Sequence, residues 1–267
     1  MIKIKYPKSI SQKGMEKFFI DKGLSEIVKN TNASELDVNH MKVKQSFKPE
    51  LSDLYRLYQF VILNKRTTVL EFGSGWSSLI FNHALNTLKN KFSQEIKKLR
   101  RNNPFELFLL ENEKKYLEIT KKKINKFNKN IKNTSKVHYY FSDVKMTKFN
   151  GRFATEFENI PLCNPDFIYL DGPGQFNVKG DVNKFSTRHN DMMPMSCDIL
   201  KFEYFLTPGT IIVVDGRGAN SKFLLDNLKR KWVYEFQKKY DQHIFLLDDP
   251  ILGKYNKRQL DFYSKKI

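Results

Sequence analysis

Residues 67–78, TTVLEFGSGWSS, constrain the fold of this chain more than any other segment. An apolar run ends at Glu71, the glycines Gly73 and Gly75 follow, and an amphipathic pattern begins after them. Glycine allows positive φ and close approach of the backbone, and amides at a helix start can hydrogen-bond a polar ligand. The order strand, glycine turn, helix therefore predicts a ligand cradle at the carboxyl end of a strand in a parallel α/β sheet.

The rest of the sequence continues to alternate short apolar runs with amphipathic stretches. Such alternation is typical of a Rossmann-like, mostly parallel sheet with helices on both faces. Two β-rich runs, WVYEFQKKY and HIFLLDD, surround a polar turn and predict an antiparallel hairpin at the C-terminal end of the sheet. A helix is expected near residues 219–231, and the predicted parallel strands are residues 68–72, 105–111, 137–142, 166–171 and 210–215.

We expect residues 1–65 to form a helical N-terminal extension and residues 66–267 to form the ligand-binding domain. Within residues 51–65 the apolar side chains recur at helical spacing, which predicts a helix that covers the sheet. Two insertions interrupt the later alternation. Residues 86–104 are lysine-rich and predict a surface helix or loop, whereas residues 175–194 form a polar loop after the fourth strand, where such folds bind substrates.

The first two predicted strands end in acidic residues that could contact a nucleoside. Ser77 or Ser78 stands where a dinucleotide motif would have a third glycine, which favours a sulfonium nucleoside without a pyrophosphate over a dinucleotide. Glu111, at the end of the second strand, could accept both ribose hydroxyls, with Glu113 as the second candidate. Alternatively, these carboxylates only favour the dipole of the helix that follows.

Three further positions belong to the same predicted cradle. Ser74 lies in the glycine turn, and Trp76 either stacks on the ligand or packs beneath the first helix. Asp143 follows the third strand, where a carboxylate could accept the exocyclic amine of adenine or cap a turn.

The fourth and fifth strands bring candidate catalytic groups to this edge. Asp171 could orient an amino group, bind a metal or act as a base, and Asp215 ends the next strand. Arg217 lies beside them and is a candidate either for the reaction or for a salt bridge with one of the two carboxylates. His189, in the loop after the fourth strand, is a candidate general base because imidazole titrates near neutral pH; the alternative is a surface histidine.

With these residues in view, residues 67–249 resemble the class I S-adenosylmethionine-dependent methyltransferases. Glu71, Gly73 and Gly75 resemble the first motif of that family. Glu111 resembles its ribose carboxylate, and Asp143 resembles its adenine contact. More narrowly, PDFIYLDGP, MPMSCDILKFEYFLTPGT and IIVVDGRGANSKFL resemble a subgroup met in bacterial surface-sugar and natural-product clusters. The resemblance implies S-adenosylmethionine as cofactor and methyl transfer to the hydroxyl of a small molecule or sugar.

Some members of the wider family bind Mg²⁺ through two strand-terminal acidic residues and an asparagine. Asp171 and Asp215 match the first two, but Gly216 stands where the asparagine would be. Two carboxylates supply too few oxygen ligands for a hard cation, so the sequence leaves metal binding open.

Composition adds a second hypothesis. The formal net charge of +18 and the lysine-dense residues 86–136 would suit a nucleic-acid-binding or nucleic-acid-modifying protein, although lysine outnumbers arginine and a solvated lysine coat is the simpler interpretation. A third hypothesis is a non-catalytic scaffold that retains the cofactor fold.

No long apolar run or signal-peptide pattern occurs, and the two cysteines have no metal spacing, so we expect a cytoplasmic protein with reduced thiols. The oligomeric state does not follow from the sequence.

Overall fold

The computed structural model describes residues 3–31, 48–189 and 191–265. Its helices are α1 (Gln12–Asp21), α2 (Ser25–Asn30), α3 (Leu51–Leu63), α4 (Trp76–Ile96), α5 (Lys114–Asn128), α6 (Asp198–Phe202), α7 (Gly218–Asn227) and α8 (Lys254–Ser264). Its strands are β1 (Thr68–Phe72), β2 (Glu106–Glu111), β3 (Lys136–Phe141), β4 (Val144–Phe149), β5 (Arg152–Phe157), β6 (Phe167–Leu170), β7 (Val178–Lys179), β8 (Ile211–Asp215), β9 (Trp232–Gln237) and β10 (Gln242–Leu247).

Seven strands form the central sheet in the order β3-β2-β1-β6-β8-β10-β9. The first five in this order pair in parallel, and β10 runs antiparallel to both β8 and β9. The predicted Rossmann-like sheet and its C-terminal hairpin are therefore confirmed. The five predicted parallel strands agree with the observed ones to within one residue at each end.

The inner strands β1, β2, β6, β8 and β10 bury both of their faces, which explains why they are continuous apolar runs rather than alternating ones. Alternate residues such as Val69 and Leu107 pack into one core with α1, α3, α4, α5 and α8. Their neighbours Leu70 and Phe108 pack into a second core with α6 and α7. Helices thus cover both faces, as predicted.

The second face also carries a small sheet that the strand predictions did not include. Strands β4 and β5 form a hairpin, and β7 pairs in parallel with β4. Asn150 and Gly151 form the two-residue turn of the hairpin, and both have positive φ (48° and 76°). An Asn-Gly pair between alternating apolar residues is a strong hairpin signal, so the sequence does contain the information.

The insertion at residues 86–104 is not simply a surface elaboration. Helix α4 continues through it to Ile96, and Leu88, Phe92 and Ile96 are buried in the first core. The lysines of this segment occupy the other side of an amphipathic helix. The correction follows from periodicity, because the three apolar residues recur at four-residue spacing.

The N-terminal helices share the first core with the sheet. Phe19 of α1, Ile27 of α2 and Leu57 of α3 belong to the same cluster as Val69. The division at residue 65 stays a prediction, and residues 1–2 and 32–47 of the predicted extension lie outside the described residues. Among the helices in the described ranges, none combines the length and apolar character needed to cross a membrane.

Candidate functional site

A cleft of about 180 Å³ opens where β1, β6 and β8 end, beneath the start of α3. This is the edge at which open parallel sheets bind ligands. The turn after β1 and the first residues of α4, Ser74 to Ser77, form one wall. The residues that line the cleft are Lys48, Pro49, Glu50, Asp53, Leu54, Leu57, Ser74, Gly75, Trp76, Ser77, Tyr116, Tyr169, Asp171 and Asp215.

The glycine turn after β1 depends on close backbone packing. Gly73 has a φ of 107°, which disfavours other residues. A Cβ atom on Gly172, in the turn after β6, would lie 2.8 Å from the amide nitrogen of Gly73. Gly75 differs, because its backbone is extended and a Cβ there would meet no atom within 4 Å. Gly75 therefore leaves open space at the start of α4.

Glu71 lies under this turn and is fully buried. Its Oε1 accepts a 2.5 Å hydrogen bond from the hydroxyl of Ser77, which fastens the first turn of α4 to β1. Its Oε2 has no hydrogen-bond partner in the structure. Burial raises the pKa of Glu71 to about 8, although hydrogen bonds from Ser77 and Ser78 oppose the shift. Glu71 thus supports the turn and does not itself line the cleft.

Glu111 ends β2 directly behind the same turn. Its Oε2 accepts a 2.8 Å hydrogen bond from the hydroxyl of Ser74, and its Oε1 accepts the backbone amides of Asn112 (2.9 Å) and Glu113 (3.0 Å). Burial raises the pKa of Glu111 to about 7. The carboxylate is therefore held in one orientation at the point where the sequence predicted a ribose contact.

Trp76 is buried and lines the cleft. The ammonium group of Lys123, from α5, lies 3.2 Å from the centre of a Trp76 ring. Burial lowers the pKa of Lys123 to about 8. The indole thus packs against α5 and also borders the cleft, and its stacking on a ligand stays a prediction.

Asp171 and Asp215 face the cleft from neighbouring strands, β6 and β8. Arg217 lies 3.8 Å from the Asp171 carboxylate and donates a 2.6 Å hydrogen bond to the backbone carbonyl of Asp171. The side chain of Asp171 is 54% exposed, so it stands at the rim. The hydroxyl of Tyr169 donates a 3.1 Å hydrogen bond to Asp215. Burial, followed by the charge of Asp171, raises the pKa of Asp215 to about 7.

Two carboxylates from the N-terminal region also reach the cleft, and the sequence analysis missed them. Glu50 and Asp53 line it at the start of α3. Burial, and next the charge of Asp215, raise the pKa of Asp53 to about 8. No motif marks these residues. The only sequence signal that could have indicated them is their position at one end of a helix that was predicted to cover the sheet.

Asp143 and His189 are not among the residues that line the cleft. Asp143 follows β3 as predicted, and its carboxylate pairs with the ammonium group of Lys179 at 2.5 Å. The His189 side chain is 64% exposed, and its Nδ1 accepts a 3.2 Å hydrogen bond from the backbone amide of Asp191. The structure thus does not bring His189 to the strand-terminal carboxylates, and its role as general base stays a prediction without geometric support.

The side chains at the strand ends, including Asp171 and Asp215, do not form a ligand set that fits a divalent cation. Within residues 3–31, 48–189 and 191–265, no group of three or more His, Cys, Asp and Glu side chains is arranged to hold a metal ion. Arg217 already supplies a positive charge beside Asp171. Hard cations require six or more oxygen ligands.

Charge is distributed unevenly over the molecule. The exposed side of α5 carries Lys114, Lys115, Lys121, Lys122 and Lys126, without an arginine. The cleft, in contrast, is lined by four carboxylates and one lysine. The net charge of +18 therefore does not describe the cleft.

No protein-family model and no curated protein sequence matches the chain. Similar solved structures include a Podospora anserina methyltransferase, PaMTH1, bound to SAH (13% identity, 92% of this chain and 100% of that chain covered, TM-score 0.47). A second is an O-methyltransferase from Bacillus cereus in complex with SAH (14% identity, 91% of this chain and 92% of that chain covered, TM-score 0.39). A third is the O-methyltransferase TomG from Streptomyces achromogenes, involved in tomaymycin synthesis, in complex with SAM (12% identity, 90% of this chain and 100% of that chain covered, TM-score 0.42). At these identities and TM-scores, conclusions about this chain rest on its own geometry.

Proposed function

We propose that this chain is an S-adenosylmethionine-dependent methyltransferase that binds its cofactor at the carboxyl ends of β1, β2 and β6. The observation that carries the proposal is the position of the glycine turn beside Glu111 and Asp171, at one edge of a Rossmann-like sheet. The motifs of residues 67–249 support the same conclusion because they resemble those of class I methyltransferases.

The electrostatics of the cleft support a cationic cofactor. S-adenosylmethionine carries a sulfonium and an ammonium group, and the cleft presents Glu50 and Asp171 in a protein that is otherwise strongly basic. Asp53 and Asp215, whose pKa values are raised to about 8 and about 7, can release their protons when a cation binds beside them. Carboxylates in a partly desolvated cleft interact with a cation more strongly than carboxylates in water do. A pyrophosphate would be repelled by the same groups.

We assign the cofactor contacts as follows. The turn formed by Ser74, Gly75, Trp76 and Ser77 borders the adenosyl group, and Glu111 accepts hydrogen bonds from the ribose hydroxyls. Asp171 accepts a hydrogen bond from the amino group of the methionine moiety, while Arg217 holds the Asp171 backbone in place. Asp143 accepts a hydrogen bond from the adenine amine, which requires Lys179 to move away from the Asp143 carboxylate. Ligand pockets usually exceed about 300 Å³, so the cofactor must also extend beyond the cleft toward β2 and β3.

The reaction needs alignment and one proton acceptor. The acceptor hydroxyl oxygen attacks the methyl carbon in line, the new O–CH₃ bond forms as the S–CH₃ bond breaks, and S-adenosylhomocysteine leaves. The hydroxyl proton passes to Asp215, which suits this role because its pKa is about 7 and it lines the cleft. The acceptor class we propose is a hydroxyl of a small molecule or sugar.

Calorimetric titration with S-adenosylmethionine, S-adenosylhomocysteine and NAD tests cofactor binding. We expect heat with the first two and none with NAD. Absence of both binding heat and thermal stabilisation with either sulfur compound would overturn the proposal. Turnover is then measured as S-adenosylhomocysteine release over a panel of hydroxyl acceptors, in which Asp215→Asn lowers the rate by a much larger factor than it lowers cofactor affinity. Cofactor binding without turnover over a broad panel would favour the scaffold hypothesis.

The lysine side of α5 supports one alternative, a nucleic-acid-binding protein. Its affinity would decrease steeply as salt concentration rises. A gel-shift panel of DNA and RNA that shows no retardation at low salt would eliminate this alternative.

A further inference from the structure

The most exposed large apolar side chains of the described residues gather at one end of the molecule. Leu162 is 98% exposed, Phe205 80%, Tyr204 72% and Leu252 63%. Ile251 and Tyr255 are also exposed. We call these six residues the apolar end patch. Exposed single apolar residues are ordinary, but a contiguous group of them marks an interaction site.

Hydrogen bonds and ring contacts connect the segments that carry the patch. The side-chain amide of Asn164 donates to the Phe205 carbonyl at 3.4 Å, and Leu162 lies two residues before Asn164. Arg101 donates to the Asn164 carbonyl at 2.8 Å, while its neighbour Arg100 lies 5.5 Å from the Tyr255 ring. The patch therefore extends across three chain segments that meet.

Cations surround the aromatic residue at one side of the patch. The charged groups of Arg100, Lys254 and Arg258 lie 5.5, 5.2 and 5.9 Å from the centre of the Tyr255 ring. The acidic neighbour Asp261 is already paired with Lys257 at 3.1 Å. The patch thus combines protruding aliphatic side chains, an aromatic ring and a positively charged border.

We propose that the apolar end patch docks this protein on an anionic phospholipid surface. Aliphatic side chains gain free energy by entering the acyl region, aromatic rings favour the headgroup level, and arginine and lysine contact lipid phosphates. A nucleic acid would use the cations but would leave Leu162 and Leu252 in water. A two-fold dimer through the patch would bring two positively charged borders into one interface, where their like charges oppose association.

The position of the patch predicts how the protein would be oriented. The patch lies before the amino ends of β6 and β8, whereas the cleft lies at their carboxyl ends. A strand rises about 3.3 Å per residue, so roughly 20 Å of sheet separates Asn164 from Asp171. Docking would leave the cleft open to solution. The inference therefore does not depend on the proposed reaction.

Co-sedimentation with phosphatidylcholine vesicles, with and without phosphatidylserine, tests the proposal. We expect sedimentation with the anionic vesicles and little with phosphatidylcholine alone. Leu252→Asp should lower the partition coefficient about tenfold or more, and Arg258→Glu about fivefold or more. Ile20→Asp and Lys122→Glu are the matched controls, because both residues are exposed and lie outside the patch.

Three results would overturn the proposal. The first is equal sedimentation with both kinds of vesicle. The second is an equal loss of binding in the control variants, which would indicate diffuse attraction by the net charge. The third is that the patch substitutions abolish self-association or RNA binding of the protein but leave its binding to vesicles unchanged. Circular dichroism melting establishes that each variant folds, which is expected because the substituted side chains are exposed.

Discussion

The hydroxyl of Ser74 donates a 2.8 Å hydrogen bond to Glu111 and thereby joins the turn after β1 to the end of β2. The two residues are 37 positions apart in the chain. Their contact fixes the carboxylate beside Ser74, the residue that precedes Gly75 in the turn. The proposed ribose contact depends on this arrangement, and the first prediction tests it.

Replacing Glu111 with Gln should weaken S-adenosylmethionine binding about 10- to 100-fold. Hydrogen bonds to a charged group contribute about 1.5–3 kcal/mol, and Gln offers one acceptor oxygen instead of two. Calorimetric titration measures the change. Glu118→Gln, at an exposed position of α5, is the matched control and should bind normally. Equal affinity of wild type and Glu111→Gln would refute the ribose assignment.

The unliganded protein should lose stability as pH rises from about 4.5 to 8. Glu71 has a folded pKa of about 8 against 4.5 in the unfolded chain, so the folded state holds the extra proton within this window and releases it above pH 8. In Glu71→Gln the decline should be shallower by up to about 1.4 kcal/mol per pH unit. Urea unfolding at a series of pH values measures this slope. The same slope in both proteins would show that Glu71 is ionised in the folded state.

Replacing Gly172 with Ala should destabilise the fold by about 1–3 kcal/mol and weaken cofactor binding. The new Cβ would lie 2.8 Å from the Gly73 nitrogen and 2.9 Å from the Phe72 carbonyl carbon, so the two turns must separate. Gly218→Ala is the control, since its Cβ would meet its nearest neighbour, His243, at 3.6 Å. Urea unfolding and titration measure the two effects. A fully stable Gly172→Ala protein would contradict the close packing of these turns.

Asp166→Asn removes the buried ion pair with Arg101 (3.5 Å) and should cost about 3–5 kcal/mol of stability without a direct effect on the cleft. Asp166 is fully buried and accepts hydrogen bonds from the backbone amides of Thr67 (2.8 Å) and Thr68 (2.8 Å) and from the Tyr263 hydroxyl (2.6 Å). Denaturant unfolding measures the loss. Asp226→Asn, in an exposed pair on α7, should change stability by only about 0.5 kcal/mol or less. Similar values for the two variants would contradict the prediction.

Most of the central sheet was predictable because its strands are short apolar runs separated by glycine turns and amphipathic helices. Glu111, Asp171 and Asp215 were predictable as candidates for the same reason, since parallel strands bring their ends to one edge. The β4–β5 hairpin was missed although Asn150 and Gly151 marked its turn. Asp53 could not be predicted, because its place in the cleft depends on how α3 packs across the sheet, and no local pattern encodes that packing.

Residues 48–57, which include the start of α3, supply Glu50, Asp53 and four other residues to a cleft whose remaining lining residues follow position 73. Cutting the chain at residue 65 would therefore not yield a smaller working unit. The fragment from residue 66 onward would lack one wall of its own cleft. It would also lose the α1 and α3 side chains that share the first core with Val69 and Ile80. For this protein, the helices that precede the sheet belong to the same folded unit as the sheet and complete its cleft.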